Sequence, residues 1–347
     1  MNKIEYFLGA NSDKGFVSYF EQLQAGNSDL QLLILKGGPG SGKSSLMKKV
    51  AKYAKGLGHD IEYIRCASDP DSLDAIIDQT AGFAMMDGTS PHISDPSVPG
   101  VLQHIMYTGD LWDCKKLGKH KKEILNLNEK ISCEHKAATA YIKSASALLT
   151  ENYNCAKKHI KRNDIYAFAA EITDMLPLCS GGVEKKRLLS AVSVGKTVFL
   201  EDTIKNISDK IYSIEDPWGC ASDYLLNTIK GGALGKGVDV ITCRCSVMPE
   251  VTEHIVIPSA KLAITRSNEF HRTTNIADAA LNGLYTPMDN LSEMYKRTEL
   301  ASIIIDDAAQ CIKKAKELHD VLEEYYINAM DFSLADKLFD NIIKRFL

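Results

Sequence analysis

The chain has 347 residues, 45% hydrophobic and 25% charged, with a net charge of −4 and a pI near 6.2. That is apolar material for two cores of ordinary size, and the near-balanced charge excludes a chain-wide attraction to nucleic acid or to an anionic membrane. No run approaches the roughly 18 apolar residues that span a bilayer; the opening MNKIEYFLGANSDKGF lacks the apolar run of a signal peptide; and nine scattered cysteines predict reduced thiols in a cytoplasmic protein.

In chain order, Leu32–Leu35 is a short apolar run ending at glycines, which predicts a buried strand. The next segment, Gly37-Gly38-Pro39-Gly40-Ser41-Gly42-Lys43-Ser44, matches the P-loop pattern G-x-x-x-x-G-K-[ST] in full, and Ser45 continues it. A triphosphate is met best by backbone N–H groups turned inward, and glycines permit that wrap. Residues 44–53 have helical apolar spacing, so a helix N-terminus faces the same point. The expected roles are Lys43 on the β- and γ-phosphates, Ser44 on Mg²⁺, and ATP as the nucleotide.

Further strands are predicted at 61–66 and 83–86, and strands alternating with helices imply a parallel sheet. Asp87 follows the second of these strands, where a Walker-B-type carboxylate would hold Mg²⁺; Lys43 and Asp87 are the candidate catalytic pair. Against this, Asp87 is also a natural first residue of an Asp-Gly-Thr turn, and Asp69, Asp71 and Asp74 compete for the duty. Residues 113–175 are Lys-rich, helix-periodic and almost free of Gly and Pro, predicting a helical hairpin attached to the α/β core. Their basic stretch KKLGKHKK (115–122) fits a solvated helix face better than a nucleic-acid surface.

After a linker-like stretch at 178–186 the chain repeats itself in diverged form. An offset of about 179 aligns Gly58 with Gly237, Arg65 with Arg244, Cys66 with Cys245, Pro70 with Pro249 and His92 with His271. The expected architecture is two tandem P-loop NTPase-like parallel-sheet domains. The first is 1–180 with a helical insertion at about 113–175; the second is 181–347 with C-terminal helices at about 290–347. In the second, Glu215-Asp-Pro-Trp-Gly-Cys-Ala-Ser222 stands for the P-loop, with Ala221 at the lysine position and Arg266 for Asp87. That copy is expected to be a catalytically dead pseudo-domain.

The residues kept in both copies have a bland explanation, a strand end, a fixed turn and packed Cys and His side chains. A sharper one is a second site formed by Arg65, Asp74 and His92 at the carboxyl edge of the sheet, with Arg65 on an anion and His92 in proton transfer. Cys243, Cys245, His254 and His271 make a weak metal pattern.

The P-loop GGPGSGKSS, the segment RCASDPDSLD, the motif DGTSPH and the degenerate second half together resemble a family of duplicated P-loop ATPase-like proteins from Gram-positive bacteria. The resemblance spans nearly the whole chain. It implies an ATP-binding protein of P-loop NTPase fold and no particular substrate. Members of that family often keep a fuller P-loop in the second half, so its loss here argues against a two-site mechanism. The expectation is a Mg·ATP-binding ATPase. The alternatives are a small-molecule kinase, or a nucleotide-gated protein that binds a protein partner through its helical hairpins.

Overall fold

The computed structural model describes residues 3–23 and 30–347; Met1 and Asn2 of the opening stretch lie outside them. The first half runs β1 (Ile4–Tyr6), β2 (Gly9–Ser12), β3 (Gly15–Ser18), β4 (Gln31–Lys36), α1 (Lys43–Gly56), β5 (Ile61–Cys66), β6 (Asp69–Asp78), β7 (Phe83–Asp87) and β8 (Gln103–Tyr107). Six strands form a sheet in the order β1-β5-β6-β7-β4-β8, in which β6 alone runs against its neighbours. β4 is paired on both edges, by β7 and β8, and Leu32–Leu35 are buried. A strand enclosed in this way is apolar throughout rather than alternating.

Three helices follow, α2 (Cys114–Lys119), α3 (Lys121–Lys157) and α4 (Arg162–Asp174). The second half then runs β9 (Glu184–Arg187), β10 (Ser190–Val192), β11 (Thr197–Phe199), α5 (Glu201–Ile207), β12 (Lys210–Glu215), α6 (Cys220–Gly235), β13 (Val240–Arg244), β14 (Thr252–Ile257), β15 (Leu262–Ser267) and β16 (Ala279–Leu281). Its sheet has the order β9-β13-β14-β15-β12-β16 with β14 antiparallel, strand for strand the order of the first. The chain ends in α7 (Leu291–Ile327) and α8 (Ser333–Phe346). No described helix is long and apolar enough to cross a membrane.

The helices depart from the expected hairpin. α3 and α7, each 37 residues long, lie against one another over most of their length. They run antiparallel, since Trp112 bridges Met330 at one end and Ile160 bridges Tyr285 at the other. Ala138, Ile142, Ala145 and Leu149 meet Ala301, Ile305, Ala308 and Ile312. Both sets recur at the alternating four- and three-residue steps of a coiled-coil seam.

The short helices then cross over. Ile165, Ala169 and Ile172 of α4 pack on Leu225, Ile229 and Ala233 of α6, in the second half. Ile342 and Phe346 of α8 join Leu33, Met47 and Phe83 in the first. Each half therefore covers a sheet of the other. Between the sheets one core links Tyr6, Phe7 and Ile64 to Leu188, Cys243 and Val256, and a buried Arg187–Glu62 ion pair of 2.5 Å joins the halves there.

Candidate functional site

β4 delivers the chain at Lys36, and α1 begins after six intervening residues, at Lys43. Between them Gly40 has a φ of 63°, and a Cβ there would stand 3.0 Å from the Glu323 carbonyl oxygen. Only glycine meets both conditions. Gly42 caps α1 in the left-handed conformation, and no side chain caps the helix start. Its first amides are thus available to an anion.

Lys43 turns back into the loop. Its Nζ donates to the carbonyls of Gly37 (2.8 Å) and Gly38 (2.9 Å) and lies 3.5 Å from Asp87. Asp87 reaches it because β7 pairs with β4, Leu35 opposite Asp87. The other Asp87 oxygen accepts from the Thr89 N–H (2.9 Å) and hydroxyl (2.5 Å), so the turn role and the position beside the lysine coexist. Ser41 Oγ donates to the Gly38 carbonyl (2.9 Å). Ser44 Oγ accepts the Leu73 N–H (3.0 Å). Pro39 is half-buried and Ser45 exposed.

The far end of α7 covers this loop. Glu323 Oε1 accepts the Gly40 N–H at 3.1 Å, 283 residues along the chain. Trp112 and Tyr326 pack as tilted rings 5.1 Å apart over Gly38. A carboxylate from the other half thus occupies an amide of the loop. No local pattern betrays Glu323; it arrives only through the pairing of α3 and α7.

The predicted second site divides. At the β5–β6 edge the pairing passes from Ile64↔Ala75 to Arg65↔Leu73, leaving Asp74 as the extra residue of a bulge. A bulge re-aims a side chain out of strict alternation. Asp74 Oδ2 sits 3.1 Å from His92 Nε2, both buried, against the rings of Phe16 and Phe20. Burial would lower the His92 pKa, but Asp74 outweighs it, with help from Asp87, and the net shift is upward. Arg65 is elsewhere, held by Glu5 (2.6 Å) and the Pro70 carbonyl (2.8 Å).

The corresponding turn of the second half has a different register from the one its sequence suggests. β12 ends at Glu215 and α6 starts at Cys220, leaving four residues where the first half has six. Gly219, left-handed like Gly42, is the cap, so Cys220 rather than Ala221 takes the lysine position. Asp216, fully buried, fills the turn with its own carboxylate. It accepts from the amides of Trp218 (3.0 Å), Gly219 (2.9 Å) and Ser222 (2.8 Å), and from the Tyr285 hydroxyl (2.6 Å). Arg266 donates to the carbonyls of Asp216 (2.8 Å) and Pro217 (3.1 Å). These are the counterparts of the two carbonyls that Lys43 holds. Arg266 also grips Glu253 at 3.1 Å.

Of the weak metal pattern, Cys243 faces Arg187 and Glu62 at the interface between the sheets, while His254 and His271 come together with Glu253 instead of the cysteines. The chain matches no protein-family model, no curated protein and no solved structure.

Proposed function

We propose that the first half binds Mg·ATP at Gly37–Ser44 and hydrolyses it, and that the second half is a structural partner with a closed turn. The contrast between the two turns carries this reading. Both are strand–turn–helix corners in the same sheet position. One contains its own anion, Asp216, and has no lysine. The other has an uncapped helix start, a lysine turned into the loop beside Asp87, and on its amides only the carboxylate borrowed from α7. A corner whose amides meet no anion of their own loop is suited to a phosphate chain.

Ser44 and Asp87 offer a hydroxyl and a carboxylate on the loop's metal side, an oxygen set that fits Mg²⁺. When bound, the ion would neutralise charge between the β- and γ-phosphates. Lys43 would exchange the Gly37 and Gly38 carbonyls for phosphate oxygens, and Gly40 would exchange Glu323. In this reading the Asp74–His92 pair, 3.1 Å apart, would accept a proton. The resemblance to duplicated P-loop ATPase-like proteins agrees with this reading. All nine cysteines are free thiols, in keeping with a cytoplasmic setting.

A second reading, a nucleotide-gated switch, is favoured by the contact of Glu323 and Tyr326 with the loop. Triphosphate competing for Gly40 would loosen the end of α7, and with it the α3–α7 pair that a protein partner could recognise.

The test is ATP binding and ADP release by the full chain, alone and with a panel of small acceptors, beside Lys43→Ala. Basal release marks an ATPase, acceptor-dependent release a kinase, and binding without release a switch. The variant should lose about a hundredfold or more in turnover, or in affinity if there is none. A Lys43→Ala protein equal to wild type in both would rule out the site.

A further inference from the structure

We infer that the second half holds a divalent transition metal of the zinc class, with Glu253, His254 and His271 as ligands. One ligand atom from each lies within 4.8 Å of the other two, and all three residues are buried. Glu253 Oε2, His254 Nε2 and His271 Nε2 are buried with no hydrogen-bond partner. Buried polar atoms are nearly always paired, so three orphans converging on one point call for an occupant.

The backbone builds this convergence deliberately. Glu253 and His254 are consecutive in β14 and would face opposite ways in a regular strand. The β13–β14 pairing passes from Cys243↔His254 to Arg244↔Thr252, making Glu253 the extra residue of a bulge. It is the same bulge that carries Asp74 in the first half.

The surroundings fix each ligand from behind. His254 Nδ1 is 2.6 Å from Thr265 Oγ1. His271 Nε2 has no partner, and its ring lies 5.0 Å from that of His254. With Nδ1 engaged, His254 can present a lone pair on Nε2 to the cluster beside the free Nε2 of His271. Arg266 holds Glu253 Oε1 and leaves Oε2 free. Phe199 stacks on both histidine rings, 5.5 Å from His254 and 4.7 Å from His271.

Two imidazoles and a carboxylate suit zinc-class ions and not Mg²⁺ or Ca²⁺. Glu253 and His271 also line a cavity of about 30 Å³, room for a water as further ligand. Among the described residues the first half has no such cluster, and Ala75 stands where the second has His254.

The test uses the full chain, stripped with a chelator and titrated with Co²⁺ followed by visible absorption. Wild type should take up one equivalent with a nitrogen–oxygen spectrum, release it to Zn²⁺ and ignore Mg²⁺. Glu253→Gln and His271→Gln should each weaken Co²⁺ by more than about tenfold. Lys43→Ala, which tests the nucleotide site, should bind Co²⁺ as wild type does. Should a variant fold poorly, wild type alone still decides, because stoichiometric Zn²⁺ should raise its unfolding temperature. Absence of both Co²⁺ uptake and that rise would mean that Glu253 and the histidines merely share a proton, and would overturn the site. So would uptake that survives both ligand variants, or a cobalt–thiolate charge-transfer band, which would place the metal on cysteine.

Discussion

The turns at 37–42 and 216–219 solve one problem in two ways. Each follows a central strand and opens a helix, and each therefore concentrates backbone N–H groups with no helical partner. In the second half Asp216 answers those donors from inside the turn, and Arg266 takes the loop carbonyls. In the first half Lys43 takes the carbonyls, and a carboxylate must come from outside the loop. The lesson is that a strand–turn–helix corner can be closed by building the anion into the chain, with the corner itself kept intact.

The strongest way to break this comparison is to remove the built-in anion. Asp216→Ala should strand three amides, the Tyr285 hydroxyl and part of the charge balance of Arg266. A loss of about 3–5 kcal/mol is expected, read as a lower midpoint in denaturant unfolding. A change below 1 kcal/mol would mean that Asp216 is not the turn's counter-ion.

Next in size is the borrowed carboxylate. If Glu323 competes with triphosphate for Gly40, Glu323→Ala should tighten ATP binding by about 5–30-fold, the equivalent of one to two kcal/mol. Calorimetric titration of both proteins decides it, and equal or weaker binding by the variant would show that Glu323 does not gate the loop.

The smallest effect concerns His92. Its pKa is raised in the folded chain, so its pairing with Asp74 stabilises most fully below the unfolded value of 6.5 and is lost as pH rises through the folded value. The stability gap between wild type and Asp74→Asn should accordingly be wider near pH 5.5 than near pH 8.5. A gap that is flat or grows with pH would contradict the pairing.

Much of the first corner was legible because its signals are local. Glycines at 37, 38, 40 and 42, the lysine at 43 and an apolar run before them need no partner to be understood. Asp87 was legible for the same reason, at the end of a strand. What escaped was carried by register and by distance. The second turn is two residues shorter than the first, which no residue-by-residue offset reveals, so Ala221 took a position that belongs to Cys220. The bulges that bring Asp74 to His92 and Glu253 to His254 are pairing events between strands, invisible along one. The α3–α7 seam was half legible: Ala138, Ile142, Ala145 and Leu149 carry the coiled-coil spacing, but the sequence does not say that their partner lies in the other half.

The crossing of α4 and α8 has a consequence for inheritance. Cut between the halves, each piece would keep a sheet with one uncovered flank and a helix with nothing to cover, so the two could persist only by associating. A tandem chain removes that requirement for symmetry. Once both copies travel in one polypeptide, one corner can close around its own aspartate while the other keeps its glycines and lysine, and every molecule still contains one of each.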